Sequence, residues 1–371
     1  MARTMLSSAD MYGLILPRSR CMVRIIAAFV VENYQHPSKG VYVNKVEKHD
    51  GLWSIVLAGG EGERLRPFVE RWLGRHRPKQ YCAFVGTRSM LQHTLDRADR
   101  LAHPECKVTV VARSHRQAGW ATPGGVASGI VVAQPGNCDT AAGIFLPLAY
   151  VRARDPHATV VIYPSDHFVY PEERFVESVR SAVQAAEKIK DRLVLLAASP
   201  DSADPELGWI LPGARLNGSN GRDVRAVEAF IEKPRVEVAR RAMTSGALWN
   251  TLVLAAKADL LWSLGWRYLP EMMPLFDRLS AAIGTEEEDD AMVRVYGRMP
   301  SRNFSSDLLA RATDQAAVIE LGGVLWNDWG KSERIVDSLR RIGRAPVFSL
   351  KHLSDRPTSG TGEENLLKAE C

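Results

Sequence analysis

From Trp53 onward short β-branched runs alternate with longer amphipathic ones, and no other feature of the chain restricts its fold as much. The runs "WSIVLA" (53–58), "KVTVVA" (107–112), "GIVVA" (129–133), "ATVVIY" (158–163) and "RLVLLAA" (192–198) are almost continuously apolar. A strand with one wet face alternates apolar and polar residues. A strand covered on both faces reads as these do, and such strands belong to mainly parallel sheets. Between them, 89–101, 141–153 and 171–189 have helical periodicity. The repeated order strand, helix, strand implies right-handed crossovers, and hence an α/β fold with a doubly wound, mainly parallel sheet and helices on both faces. After residue 200 the rhythm loosens: "VRAVEAFIEKP" and "LWNTLVLAA" predict two more strands, with a helix over 236–245 between them. A helical region over about 258–300, a short strand near "AVIEL" and a last helix over 332–343 complete the pattern. The acidic run at 286–290 fits a solvated helix start or loop.

A chain of 371 residues suits one large or two moderate domains. Its net charge of +5 suits anionic small substrates and argues for neither a nucleic-acid nor a membrane surface. Cys21, Cys82, Cys106, Cys138 and Cys371 are widely spaced, odd in number and without a CxxC, so neither a disulfide framework nor a zinc site is expected, and a reducing cytoplasm is the natural home. Residues 1–50 place a basic stretch before an apolar one, but Arg24 interrupts the apolar run and no small-residue cleavage site follows Val31. The run is also shorter than the ~20 residues that span a bilayer. A poorly ordered extension is expected there, and a mobile tail over 346–371, polar from Ser354 on.

The first strand breaks into "VLAGGEGERLRPF", residues 56–68. Closely spaced glycines let backbone N–H groups converge on an anion. This is not a Walker loop, because no Gly-Lys-Ser/Thr follows, and not a dinucleotide fingerprint, because Leu65 stands where a small residue is needed. Arg64 offers a planar fork for phosphate oxygens. A glycine turn that binds nothing is the bland alternative.

In open α/β sheets ligands sit beyond the carboxyl ends of strands. There the sequence places Lys79 in "RPKQY", Asp166 in "PSDH", Glu232 and Lys233 in "FIEKP", Asn250 in "LWNT" and Asp328 in "WNDWG". Singly, Asp166 reads also as a turn or cap residue, the commoner job for an Asp after a strand, Lys233 as a solvated cation and Asp328 as a helix cap. Together, two cations, two separated aspartates and a glycine loop match what phosphoryl or nucleotidyl transfer requires: donors that hold a triphosphate and carboxylates for Mg²⁺.

These motifs, in this order and spacing from about Leu52 to Gly343, resemble the sugar-1-phosphate nucleotidyltransferases, most closely the mannose-1-phosphate guanylyltransferases. The resemblance implies a Rossmann-like nucleotidyltransferase fold, with the catalytic domain over 51–345 and its sugar-binding and helical part over about 200–345. It implies transfer of GMP from GTP to mannose 1-phosphate, giving GDP-mannose and pyrophosphate. Arg64 and Lys79 would be catalytic. Leu57, Ala58, Gly59, Gly60, Gly62 and Arg64 would hold the nucleotide, whose base would be read near Gln134, Asn137 and Thr140. Gly208, Glu232, Lys233 and Asn250 would grip the sugar phosphate, and Asp166 and Asp328 would bind Mg²⁺. The attacking phosphate oxygen is already ionised at neutral pH, so positioning and charge stabilisation must supply most of the rate.

The chain departs from the family pattern at Cys138, where Arg is usual, and at Ala142, where Pro is usual; both flank the expected base site. A thymidylyl- or adenylyltransferase, or a catalytically silent nucleotide-sugar-binding paralogue, is the alternative, and a homo-oligomer is compatible with either. Asn303 and Asp307 in "NFSSD" resemble a segment near the sugar pocket and read equally as loop hydrogen-bonders. His167 is expected to be structural, and Trp326 and Trp329 to pack the site wall. Too little chain follows Gly343 for the isomerase domain of longer relatives, so mannose-6-phosphate isomerase activity is not expected.

Overall fold

The computed structural model describes residues 50–120, 129–216 and 223–353. The expected extension over 1–49, Cys21, Cys371 and the tail from 354 lie outside the described residues. The strands are β1 (Leu52–Ala58), β2 (Lys107–Ala112), β3 (Ile130–Gln134), β4 (Thr159–Pro164), β5 (Phe168–Tyr170), β6 (Leu193–Ala198), β7 (Trp209–Arg215), β8 (Arg225–Ile231), β9 (Leu248–Lys257), β10 (Ala316–Glu320) and β11 (Leu325–Asn327). The helices are α1 (Arg66–Leu73), α2 (Met90–Asp99), α3 (Arg113–Gln117), α4 (Asp139–Arg152), α5 (Glu172–Lys188), α6 (Val236–Thr244), α7 (Ala258–Tyr268), α8 (Met273–Ala282), α9 (Glu288–Tyr296) and α10 (Ser332–Arg341).

Nine strands form one sheet in the order β3-β2-β1-β4-β9-β6-β10-β8-β7, with β7 also reaching β9. Strands β1, β2, β3, β4, β6, β7 and β10 run one way, whereas β8 and β9 run against them. The continuous hydrophobicity of the early strands has its expected cause. In β1, Trp53 and Ile55 enter one core with α4, α7 and α8, while Leu52, Val56 and Ala58 enter a second core with α2 and α5. Ile55, Leu52 and Val56, all fully buried, each contribute about 1.5–3 kcal/mol. Helix α2 begins at a capping box, Ser89 with Gln92. Helix α9 starts on Glu288, Asp289 and Asp290, the acidic run seated where the helix dipole favours it.

Strands β5, β7 and β11 have no counterpart in the sequence pattern. Two are three residues long, and β7 carries Pro212 and Gly213, which weaken a strand pattern. The start of the expected tail is packed rather than free. Phe348 is buried, edge-on to Phe68 at 4.8 Å, in a third core with α1 and α10, and residues 350–353 form a 3-10 turn. Among the described residues no helix is long and apolar enough to cross a membrane.

Candidate functional site

The carboxyl ends of β1, β3 and β4 meet around a cleft of about 290 Å³. Leu57, Gly59, Gly60, Gly62, Gln134, Asn137, Thr140 and Asp166 line it. Gly62 has a left-handed φ of 66°, and a Cβ there would lie 2.9 Å from the Lys79 backbone nitrogen, so the turn needs glycine on both counts. Gln80 clamps the loop by donating to the carbonyls of Ala58 (3.0 Å) and Gly60 (2.7 Å). Ser165 ties the end of β4 to β1 by donating its hydroxyl to the Leu57 carbonyl (2.7 Å). Ala58 is buried, does not line the cleft and contributes only a carbonyl that anchors the loop. A larger hollow, about 870 Å³ between α8 and α9, lies away from all these groups and has none of their convergent chemistry.

Two aspartates distant in sequence come together through a two-stranded ribbon outside the main sheet. Antiparallel pairing of β5 with β11 sets Asn327 opposite Phe168, so Asp328 and Asp166 emerge at the same end. The expectation that Asp328 follows a strand of the main sheet is thereby corrected: the ribbon positions it. Lys79 joins the pair. Its ammonium, only 4% exposed, stands 2.9 Å from Asp166 Oδ2 and donates to the Asp328 main-chain oxygen at 2.5 Å. The Asp328 carboxylate turns instead to Arg64 (2.9 Å) and Arg334 (2.9 Å), and accepts from the Gly330 N–H (3.2 Å). Arg334 also holds Asp204, while Arg64 and Lys331 both reach Glu206.

Burial pushes the Asp166 carboxyl up, but Lys79, His167 and Arg64 outweigh it and hold its pKa at about 2. Burial likewise opposes ionisation of Asp328, and Lys79, Arg64, His167 and Arg334 together hold it below the usual range. His167 is pushed down by burial against the pull of Asp166, and stands edge-on to Trp326 (5.1 Å). Phe168 and Trp329 stack at 4.5 Å behind the aspartates, as wall packing.

On the adjoining part of the sheet, the start of β7, the end of β8 and the start of β9 bring Gly208, Glu232 and Asn250 together. Asn250 donates its backbone N–H to the Gly208 carbonyl (2.8 Å), and a Cβ at position 208 would fall 2.7 Å from Glu232 Oε2 and 3.3 Å from Asn250 Cβ. Burial raises the Glu232 carboxyl, Lys233 opposes it, and Asp139 at the start of α4 adds to the rise, which places Glu232 and Asp139 in one field. Lys233 itself is exposed, with a φ of 44°. Thr140 accepts from the Phe304 N–H (2.8 Å), and Asn303 caps the 304–308 turn and reaches Asp139 (3.2 Å). Asp307 accepts from the Asn303 N–H, so both residues hydrogen-bond within this loop.

Gln80, Ser165, Asp204 and Arg334 take part although the motifs do not single them out. Gln80 has a signal, its place in "RPKQ"; Asp204 and Arg334 have none, since only tertiary contact joins them to Asp328. Among the described residues no group of three or more His, Cys, Asp or Glu is arranged to hold a metal. Mg²⁺ commonly takes one or two protein carboxylates and completes its shell with phosphates and water, so Asp166 and Asp328 would be enough protein ligands to hold it. Asp166, its side chain 37% exposed, meets Lys79 through Oδ2 and faces His167 Nε2 at 3.7 Å through Oδ1.

The profile of the family described as Nucleotidyl transferase matches residues 53–343. The chain is 27% identical over 300 residues to the xanthan biosynthesis protein XanB of Xanthomonas campestris pv. campestris (strain B100), covering 78% of this chain and 60% of that protein. It is 30% identical over 301 residues to the mannose-1-phosphate guanylyltransferase ManC of Salmonella typhimurium, covering 75% and 58% respectively. The chain thus spans about six-tenths of the length of these relatives. A crystal structure from Thermus thermophilus, described as a mannose-1-phosphate geranyltransferase, superposes with a TM-score of 0.66 at 26% identity, covering 78% of this chain and 79% of that one. The match runs through the glycine loop, both aspartates and the Gly208 edge alike, and by it this chain belongs to the nucleotidyl transferase family.

Proposed function

We propose that the protein transfers GMP from GTP to mannose 1-phosphate, releasing pyrophosphate and giving GDP-mannose. The observation that carries this reading is Lys79, buried between Asp166 and Asp328 at the edge of the glycine-loop cleft. A desolvated cation held there is preorganised for the charge that builds on an attacked α-phosphate. In this reading the loop Gly59–Gly62 and Arg64 hold the triphosphate, and Gln134, Asn137 and Thr140 face the base. Gly208, Glu232, Lys233 and Asn250 take the sugar phosphate. Asp166 and Asp328 would hold Mg²⁺, which supplies charge neutralisation for the phosphates when bound. A role in supplying nucleotide sugar for polysaccharide or glycoconjugate synthesis accords with the names of the relatives, and a cytoplasmic setting follows from the cysteine pattern.

Crossing GTP, ATP, dTTP, UTP and CTP with mannose and glucose 1-phosphates in a pyrophosphate-release assay should single out GTP with mannose 1-phosphate. A site that pairs with guanine's N1–H and amino group leaves its own groups unpaired against adenine, at about 1–3 kcal/mol each. Preference for dTTP or ATP would overturn the guanylyl assignment and keep the nucleotidyltransferase one. Intact GTP binding with no pyrophosphate from any pair would mark a silent paralogue.

Gly208→Ala tests the sugar side separately. The added methyl must displace Glu232 and crowd Asn250, so the KM for the sugar phosphate should rise about tenfold, the scale of one displaced polar contact. The KM for the nucleotide should change less than twofold. Equal rises in both would remove Gly208 from the sugar subsite.

A further inference from the structure

A loop meant for a triphosphate here contains two acids, Glu61 and Glu63. Each is turned toward a basic side chain. Glu63 lies 3.5 Å from Arg66 at the surface. Glu61 is met from beneath by His115, which sits on α3 directly after β2 and is 0% exposed. His115 Nε2 stands 3.3 Å from Glu61 Oε2, within ion-pair distance though out of line for a hydrogen bond. Its other nitrogen, Nδ1, is 3.3 Å from the Tyr81 hydroxyl, which also points at the Ala58 carbonyl (3.4 Å). Tyr81 and Trp120 pack against the ring at 5.4 and 5.7 Å, so the imidazole has little freedom to turn. Tyr81 follows Gln80, which grips the same loop, and Lys79, which serves the aspartates.

We propose that His115 is a positioning residue for the glycine loop, holding Glu61 away from the space in which the loop's N–H groups receive an anionic ligand. The proposal rests on reading the cleft as a triphosphate site. Without His115 the Glu61 carboxylate is free to swing toward the cleft and repel phosphate oxygens, as like charges in a partly desolvated site do. A buried histidine kept only for packing would have no reason to address this one acid.

The test is GTP binding by calorimetry, with steady-state kinetics alongside. His115→Phe should raise the GTP Kd about tenfold and leave the KM for mannose 1-phosphate within twofold. Adding Glu61→Gln to that variant should bring the GTP Kd back to within about threefold of wild type, because the repelling charge is gone. Loss of affinity that Glu61→Gln does not rescue, or no loss at all, overturns the role of His115. Should His115→Phe not fold, Tyr81→Phe removes the hydroxyl between His115 and Ala58 and should weaken GTP about threefold; unchanged affinity there overturns the proposal equally. Failure of the wild-type protein to bind GTP would instead overturn the assignment of the cleft.

Discussion

Replacing Lys79 by Met is expected to lower turnover by roughly two to three orders of magnitude, the scale of losing one preorganised electrostatic contact, with a far smaller loss of nucleotide affinity. The ammonium is already desolvated and fixed by Asp166 Oδ2 and the Asp328 carbonyl, so no reorganisation is needed as charge builds at phosphorus. Methionine fills a similar volume without the charge. The same change removes the strongest of the influences that hold Asp166 ionised. With Lys79 present its folded pKa is about 2, below the ~3.9 of an unfolded aspartate, so its ionised form stabilises the fold above about pH 4 and that contribution is lost as pH falls toward 2. Without Lys79, burial is the largest remaining influence and acts upward. The variant's stability deficit, about 1 kcal/mol once solvent screening of a carboxylate that is 37% exposed is allowed for, should be full at pH 7 and shrink below pH 4. Single-turnover kinetics with nucleotide titration, and melts at both pH values, measure the two effects. Equal losses in turnover and affinity would mean that Lys79 only holds substrate.

Why Lys79 can be found from sequence and Arg334 cannot is a matter of range. The strands around the cleft are legible because burial on both faces leaves only one kind of residue in β1, β4 and β6, and that composition survives in the sequence. Strand direction does not survive in it: β9 is as apolar as β4 yet runs against it, since either orientation buries the same side chains. The glycine loop and Lys79 lie within 25 residues of one another after a recognisable strand, and local punctuation marks both. The meeting of Asp166 with Asp328 depends on a ribbon of two three-residue strands, too short for any period to register. Arg334 and Asp204 meet Asp328 only through the fold. Phe348 reads as tail because no periodic segment continues past Gly343, and its burial follows from an aromatic pocket built by Phe68, Trp72 and Phe84, all far away in sequence.

Asp328→Asn should separate two duties of one carboxylate. Asp328 is 3% exposed and accepts from Arg64, Arg334 and the Gly330 N–H, so asparagine keeps the shape but turns an amide donor toward a guanidinium. Hydrogen bonds to charged groups are worth about 1.5–3 kcal/mol each, and Arg334 retains Asp204, so a net destabilisation of about 2 kcal/mol is expected. The folded pKa of Asp328 is depressed, so its contribution is present above about pH 4 and lost as pH falls; the gap in Tm between variant and wild type should close on acidification. A gap that does not begin to narrow as pH falls below about 4 would assign the loss to packing rather than charge. Turnover should fall about a hundredfold or more, because Arg64 loses its anchor and the proposed Mg²⁺ site loses one of two carboxylates. Magnesium decides between these causes. If Asp328 is a ligand, the Mg²⁺ concentration for half-maximal activity rises at least about tenfold in the variant. If that concentration is unchanged while turnover still falls, Asp328 serves by holding Arg64 and Arg334, and Asp166 is left as the protein's carboxylate for the metal.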